Sequence, residues 1–189
     1  PATPEALYSK YDGSTGILIH VDSSNLINAL TRNAGAITSQ SAAVATATWH
    51  HVVFTRLSSV QYLYVNGLLA DSDASTKDVD VSSDINIGLD NSTLWWDGLL
   101  TEIRIYNYGL TLKEAQYLFI NPGGPSKISI PVKIDDTNLI AHWPLDEIEG
   151  TAVADVAGTH NGVLTAGSGS WRANGKANGA YHFDGVADV

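Results

Sequence analysis

The stretch from Trp49 to Gly67 constrains this chain more than any other. It opens with Trp49-His50-His51-Val52-Val53-Phe54-Thr55-Arg56, passes through five loop-like residues, and closes with Tyr62-Leu63-Tyr64-Val65-Asn66-Gly67. Both runs are dominated by β-branched and aromatic side chains, which suit a pleated surface better than a helix. Asn66-Gly67 predicts a tight turn at positive φ. Side chains alternate across a strand, so Val52 and Phe54 share one face, while Trp49, His51, Val53 and Thr55 share the other. Leu63 and Val65 likewise lie opposite Tyr62 and Tyr64. A strand pair of this kind is not stable alone in water and needs a second layer. The expected fold class is therefore all-β, a two-sheet antiparallel sandwich.

Composition narrows the function classes. The chain has 189 residues, 44% of them hydrophobic, enough for one substantial globular domain. Only 16% are charged, below the roughly 25% usual for soluble domains. With 20 acidic and 10 basic residues the formal charge is −10. Such a surface repels phosphate backbones and anionic lipid, so no nucleic acid is expected as a partner, while metal cations are plausible ligands. No apolar run reaches transmembrane length and no signal peptide is visible, so no membrane insertion is expected. Cys is absent, which excludes disulfides and thiolate sites, and Met is absent too. A start at Pro1-Ala2-Thr3-Pro4 reads as a piece of a longer or processed polypeptide.

Along the chain, Pro1 to Ala6 reads as a linker or frayed end. Tyr8–Tyr11 and Gly16–Val21 read as strands around a turn at Asp12-Gly13-Ser14-Thr15, and 25–32 as another strand. Residues 34–48 read as a connection and an edge strand. Leu68 to Asp73 reads as an extension of the strand before it, and Ser75 to Ser83 as a solvated loop or edge. Ile85–Leu89 and Leu99–Tyr106 alternate as strands do. Leu110 to Ile120 is the one expected helix, centred near 111–119, with Thr111 three residues before Glu114 in capping-box spacing and an apolar stripe at Leu112, Ala115, Leu118 and Phe119. Prolines and glycines make 121–137 a linker. Beyond it, Leu139 to Leu145 reads as a strand stopping near Pro144, and Ala180 to Gly185 as a last strand and turn.

Three blocks together resemble the laminin-G-like, concanavalin A-like jelly-roll modules of secreted proteins. One runs from Leu139 to Glu147, through Asp155-Val156-Ala157-Gly158 and Asn161-Gly162, to Phe183-Asp184-Gly185. The second is Trp49-His50-His51-Val52 with Tyr62-Leu63-Tyr64-Val65-Asn66-Gly67. The third is Asp97-Gly98-Leu99-Leu100-Thr101-Glu102-Ile103-Arg104-Ile105-Tyr106-Asn107 with Leu110-Thr111 and Glu114-Ala115. Their order is permuted. Residues 1–120 resemble the C-terminal part of a module and 138–189 the N-terminal part. The two are expected to complete one sandwich, within the chain or with a neighbouring copy. The resemblance also implies a structural Ca²⁺ between the 155–162 loop and the acidic residue opening the third block's strand. Its ligands would be Asp155, Asn161 and Glu102, where the family often carries Asp at the last position. Calcium takes six to eight oxygens, which a Gly-, Asn- and Asp-bearing loop supplies.

Catalysis finds no support. No Gly-x-Ser-x-Gly elbow occurs, and Asp146, Glu147, Glu149, Asp78 and Asp80 lack the facing arrangement glycoside hydrolysis needs. The histidines show no zinc spacing; adjacent His50 and His51 point to opposite faces. Trp95 and Trp96 lie in a Gly/Asp-rich turn where an indole can stack on a sugar, although alternation sends one ring inward. Asp90, Asn91 and Asp97 would hydrogen-bond hydroxyls. Asn91-Ser92-Thr93 is also a glycosylation sequon. The expected function is a non-catalytic adhesion or carbohydrate-binding module of a larger secreted or cell-surface protein, its partner a glycan or surface protein. The alternative is a structural repeat of an extracellular fibre or surface layer, joined to copies of itself head to tail.

Overall fold

The structure, a computed structural model, describes residues 3–33, 35–76, 79, 81–90, 93–123, 138–164 and 169–185. Strands β1 (Glu5–Tyr11), β2 (Gly16–Val21), β3 (Leu26–Arg32) and β4 (Ala36–Ala43) follow one another as antiparallel hairpins. Aspartates build two of the turns. Asp12 Oδ1 accepts the N–H groups of Ser14 and Thr15 at 2.8 and 2.7 Å, and Asp22 Oδ1 accepts those of Ser24 and Leu26 at 2.8 and 3.0 Å. The first strand starts at Glu5, so the end of the stretch expected to be a linker or a frayed strand end is strand, with Ala6 fully buried and paired with His20.

A second sheet contains β5 (Val52–Leu57), β6 (Val60–Val65) and β7 (Leu68–Ala74). Asn66 and Gly67 have φ of 53° and 73°. Two successive left-handed residues reverse the chain, so Leu68–Ala74 does not prolong β6 but folds back and pairs with it. Both faces of this hairpin are used, which explains why both are apolar. Leu63, with Val52, Phe54 and Val65, packs on Val21, Ile27 and Ala29 of the first sheet. Val53 and Tyr64 pack beneath α1 (Leu112–Ile120), against Leu110, Ala115 and Leu118. Thr111 and Glu114 form the expected capping box at its start, and Asn121 closes it. A polar clasp also joins the two sheets: Gln61, fully buried, accepts from Thr31 Oγ1 at 2.7 Å and donates to Ser39 Oγ at 2.9 Å. Ser75, expected in a solvated loop or edge, is 1% exposed and hydrogen-bonded to Thr31 in the same clasp.

The remaining strands are β8 (Asn86–Ile87), β9 (Asp97–Leu100), β10 (Ile103–Tyr106), β11 (Leu139–Trp143), β12 (Ala152–Val153), β13 (Gly162–Val163), β14 (Ser170–Arg172) and β15 (Ala180–Asp184). The strand expected over Ile85–Leu89 shrinks to β8, which pairs with the outer side of β1, because Gly88 at φ 79° diverts the chain. The strand expected over Leu99–Tyr106 breaks at Glu102, whose φ is 56°. Each half finds its own partner. In one, Gly98 pairs with Phe183 and Leu100 with Tyr181; in the other, Ile103 pairs with Trp143 and Ile105 with Ala141. Thr101, between them, donates its hydroxyl to Pro144 O at 2.9 Å and Gly179 O at 3.0 Å. A single apolar cluster results. Trp143, Leu145, Tyr181 and Phe183 bury themselves with Ile87, Trp96, Ile103 and Ile105. From residue 124 onward, the expected linker at 121–137 lies outside the described residues. The architecture is an all-β antiparallel sandwich with one short helix among the described residues.

Candidate functional site

An open groove of roughly 460 Å³ lies where the end of β1 faces residues 83–90 and Trp95. Tyr11 and Trp95 are its aromatic walls, and Leu89 adds apolar surface. Tyr11 is fixed in place: its Oη donates to Gly13 O at 2.6 Å and accepts from Arg32 Nη1 at 2.6 Å. Polar groups come from Asp12, Asp84, Asp90, Asn86 and Ser83. Asp12 is exposed, and the N–H groups of Thr15 and Ser14 with the Ser14 hydroxyl hold its carboxyl below the usual carboxylate range. Asp90 is buried and shapes the turn: its Oδ1 accepts from the N–H groups of Thr93 and Leu94 at 2.7 and 2.9 Å. That turn lets Leu89 bridge Trp95 and so carries the Trp95 ring to the groove. Asn86 stands opposite Ser9 in the β1–β8 register. Ser9 itself is fully buried, its Oγ without a hydrogen-bond partner, and does not line the groove.

The structure separates the two adjacent tryptophans. Trp96 packs into the apolar clusters around Phe183 and Leu63, and a Cβ on Gly98 would stand 3.0 Å from its ring. Its indole N–H is buried without a partner. Asp97 lies at the edge of β9, where its N–H reaches Glu5 Oε2 at 3.3 Å; neither residue lines the groove. Asn91 falls outside the described residues. Of the five sugar-contacting candidates, Trp95 and Asp90 meet in the groove, and Trp96 and Asp97 do not. Sequence reading missed Tyr11, Asp12, Ser83, Asp84, Asn86 and Leu89. The Tyr-Asp-Gly turn was visible, but not the pairing of β1 with β8, which brings Tyr8 beside Ile87 and Ser9 beside Asn86.

Asp155, Asn161 and Glu102 do come close, through His142. The His142 N–H donates to Asp155 Oδ1 at 2.9 Å and its Nε2 lies 3.0 Å from Glu102 Oε2. The donor set does not suit Ca²⁺. Asp155 has a fully buried side chain ringed by N–H groups, from Ala157 on Oδ1 and His160 on Oδ2, each at 3.0 Å. Burial pushes its carboxyl up, but these donors outweigh burial and hold it well below the usual range. Asn161 Oδ1 accepts the Asp155 N–H at 3.0 Å. Glu102 Oε2 already meets Arg104 Nη2 at 2.5 Å. Burial raises the Glu102 carboxyl; His142 and Arg104 together bring it below its usual value. Positive ends of dipoles and a guanidinium occupy the places a cation would need. Among the described residues no three His, Asp or Glu side chains are placed to hold a metal.

The family model for the concanavalin A-like lectin/glucanases superfamily matches residues 2–116. No curated protein matches the chain. Among solved structures, a protein of Bacteroides ovatus ATCC 8483, provisionally named a carbohydrate binding protein, superposes with a TM-score of 0.60 at 15% identity. The alignment covers 98% of this chain and 50% of that one, so this chain spans half its length. At that identity the likeness is one of fold. An S-layer domain-containing protein of Clostridium thermocellum ATCC 27405 aligns at 18% identity over 63% of this chain and 64% of its own, with a TM-score of 0.37. The family match covers more than half of the chain: the chain belongs to the concanavalin A-like lectin/glucanases superfamily.

Proposed function

We propose that this chain is a non-catalytic, extracellular carbohydrate-binding module that holds its glycan in the groove between Tyr11 and Trp95. The groove carries the reading, for it combines the Trp95 ring and the edge of the largely buried Tyr11 with carboxylate, amide and hydroxyl groups at a sheet edge. Apolar sugar faces stack on aromatic rings, and sparse, fixed polar groups orient hydroxyls. The Bacteroides ovatus fold relative, provisionally named for carbohydrate binding, supports the same direction. A binding role rather than hydrolysis is supported by Asp12: a glycosidase acid needs a raised pKa, and local hydrogen bonds lower this one. We read residues 1–120 and 138–189 as complementary parts of one body, a reading supported by the β10–β11 and β9–β15 pairings. Those pairings favour closure within the chain over head-to-tail completion by copies.

A glycan array probed with the parent and with Trp95→Ala tests the groove. The parent should retain a defined set of glycans, and the variant should lose them while keeping its far-ultraviolet circular dichroism. Retention of every glycan by the folded variant would place binding elsewhere, and an array empty for the parent would remove the reading.

A further inference from the structure

We infer that the groove selects saccharides carrying a free amino group, a cationic hexosamine unit, over N-acetylated or acidic sugars. This deepens the carbohydrate-binding proposal and rests on it. Three of the side chains around the groove, Asp12, Asp84 and Asp90, are carboxylates, and none of the described residues lining it is Lys or Arg. Arg32 is the cation beside it among these contacts, its guanidinium 6.0 Å from the Tyr11 ring centroid and bonded to the Tyr11 hydroxyl, which leaves Trp95 as the uncovered ring. The imidazole close to Asp90 does not offset these charges: burial pushes His20 down, and Asp22 and Asp90 only oppose that. The whole chain carries −10, so the field outside the groove has the same sign.

A sugar ammonium gains twice in such a place. It meets carboxylates at the polar side and the aromatic quadrupole of Trp95, both attractive to a cation; the Tyr11 ring already carries Arg32. A uronate or sulfate would bring a like charge against three carboxylates and be rejected. An N-acetylated sugar keeps the stacking and the hydroxyl contacts to Asn86 and Ser83 but gains nothing from the charges.

Titration calorimetry of the full chain near about pH 6, where a sugar amine is protonated, tests this. The probes are a glucosamine tetrasaccharide, its N-acetylated counterpart and an oligogalacturonate of equal length, each at low salt and at about 0.5 M NaCl. Asp84→Asn serves as the charge variant; Asp84 is exposed, and its replacement leaves the core untouched. The glucosamine oligomer should bind about tenfold more tightly than the acetylated one at low salt. That preference should largely vanish at high salt and shrink about threefold in D84N. The galacturonate should not bind. Equal binding of the amino and acetylated oligomers, or binding of the galacturonate, overturns the charge preference and leaves carbohydrate binding standing. Failure of all three probes, together with an empty glycan array, removes both.

Discussion

The Phe183 ring presses on the backbone of Gly88 so closely that a Cβ at Gly88 would stand 2.7 Å from two ring carbons. Phe183 is 1% exposed and belongs to β15, whereas Gly88 follows β8 on the edge of the five-stranded sheet. The contact ties the last strand to the first sheet, and it predicts shared cooperativity. Phe183→Ala should cost about 3–5 kcal/mol. Gly88→Ala should also destabilise, through the clash and its φ of 79°. In urea, circular dichroism and tryptophan fluorescence should report one coincident transition, moved to lower denaturant by either substitution. Two separate transitions, only one of them moved by Phe183→Ala, would show that the interior is not shared.

The Gln61 clasp gives a second prediction, in which a more apolar residue destabilises. Gln61→Leu removes the amide that satisfies Thr31 and Ser39 in a dry interior. The loss should be about 1–3 kcal/mol despite the gain in hydrophobicity. Adding Thr31→Val and Ser39→Ala should recover only part of it, since the two hydroxyls the amide satisfied go with it while Ser75 and Asp73 lose their bonds to them. Denaturant midpoints of the single, double and triple variants measure the coupling. A stabilised Gln61→Leu would mean that the amide is not needed.

Stability should fall on acidification in two separate steps. Burial and the nearby Arg104 push the His51 imidazole down from 6.5 to about 4. Between those values the unfolded chain binds a proton that the folded chain refuses, so stability rises with pH across this window and drops as pH falls through it. The loss is at most about 3 kcal/mol. Asp155, held low by its N–H donors, contributes stability that is present above the unfolded carboxylate range and is lost only below about pH 4. His51→Phe should flatten the upper step and leave the lower one. The ring already packs 6.0 Å from Phe119, so an aromatic replacement keeps its contact. An unchanged pH profile in His51→Phe would remove His51 as the cause.

Much of the scaffold was legible because it rests on local rules. Alternation placed Val52 and Phe54 opposite Val53 and Thr55, and the Thr111–Glu114 spacing marked the helix start. Asn66-Gly67 announced a turn, yet the strand after it was assigned to the wrong side of that turn. The break at Glu102 was not legible, because a left-handed non-glycine residue leaves no mark on an otherwise perfect alternation. Trp95 and Trp96 could be predicted to diverge, but which ring faces the core depends on the Asp90 turn. The groove needs β1 beside β8, a pairing set by tertiary packing and not by either short segment.

The last prediction concerns what joins β10 and β11 to the 155–162 loop. The family resemblance implies a calcium ion, and the residues themselves supply a different solution. Glu102 is paired with Arg104 at 2.5 Å and hydrogen-bonded to His142 at 3.0 Å, with all three side chains largely buried. His142 then passes the connection to Asp155 through its backbone N–H. An ion bound only by the folded chain would raise its midpoint by mass action. Added Ca²⁺ and added chelator should therefore both leave the melting temperature of the parent unchanged. Arg104→Met, by contrast, removes one partner of a buried pair and should cost about 3–5 kcal/mol. Glu102→Gln leaves the guanidinium, whose Nε already lacks a partner, facing a neutral amide, and should also destabilise. A Ca²⁺-dependent rise of several degrees in the parent, abolished in Glu102→Gln, would restore the ion and displace Arg104 as the element that closes this seam.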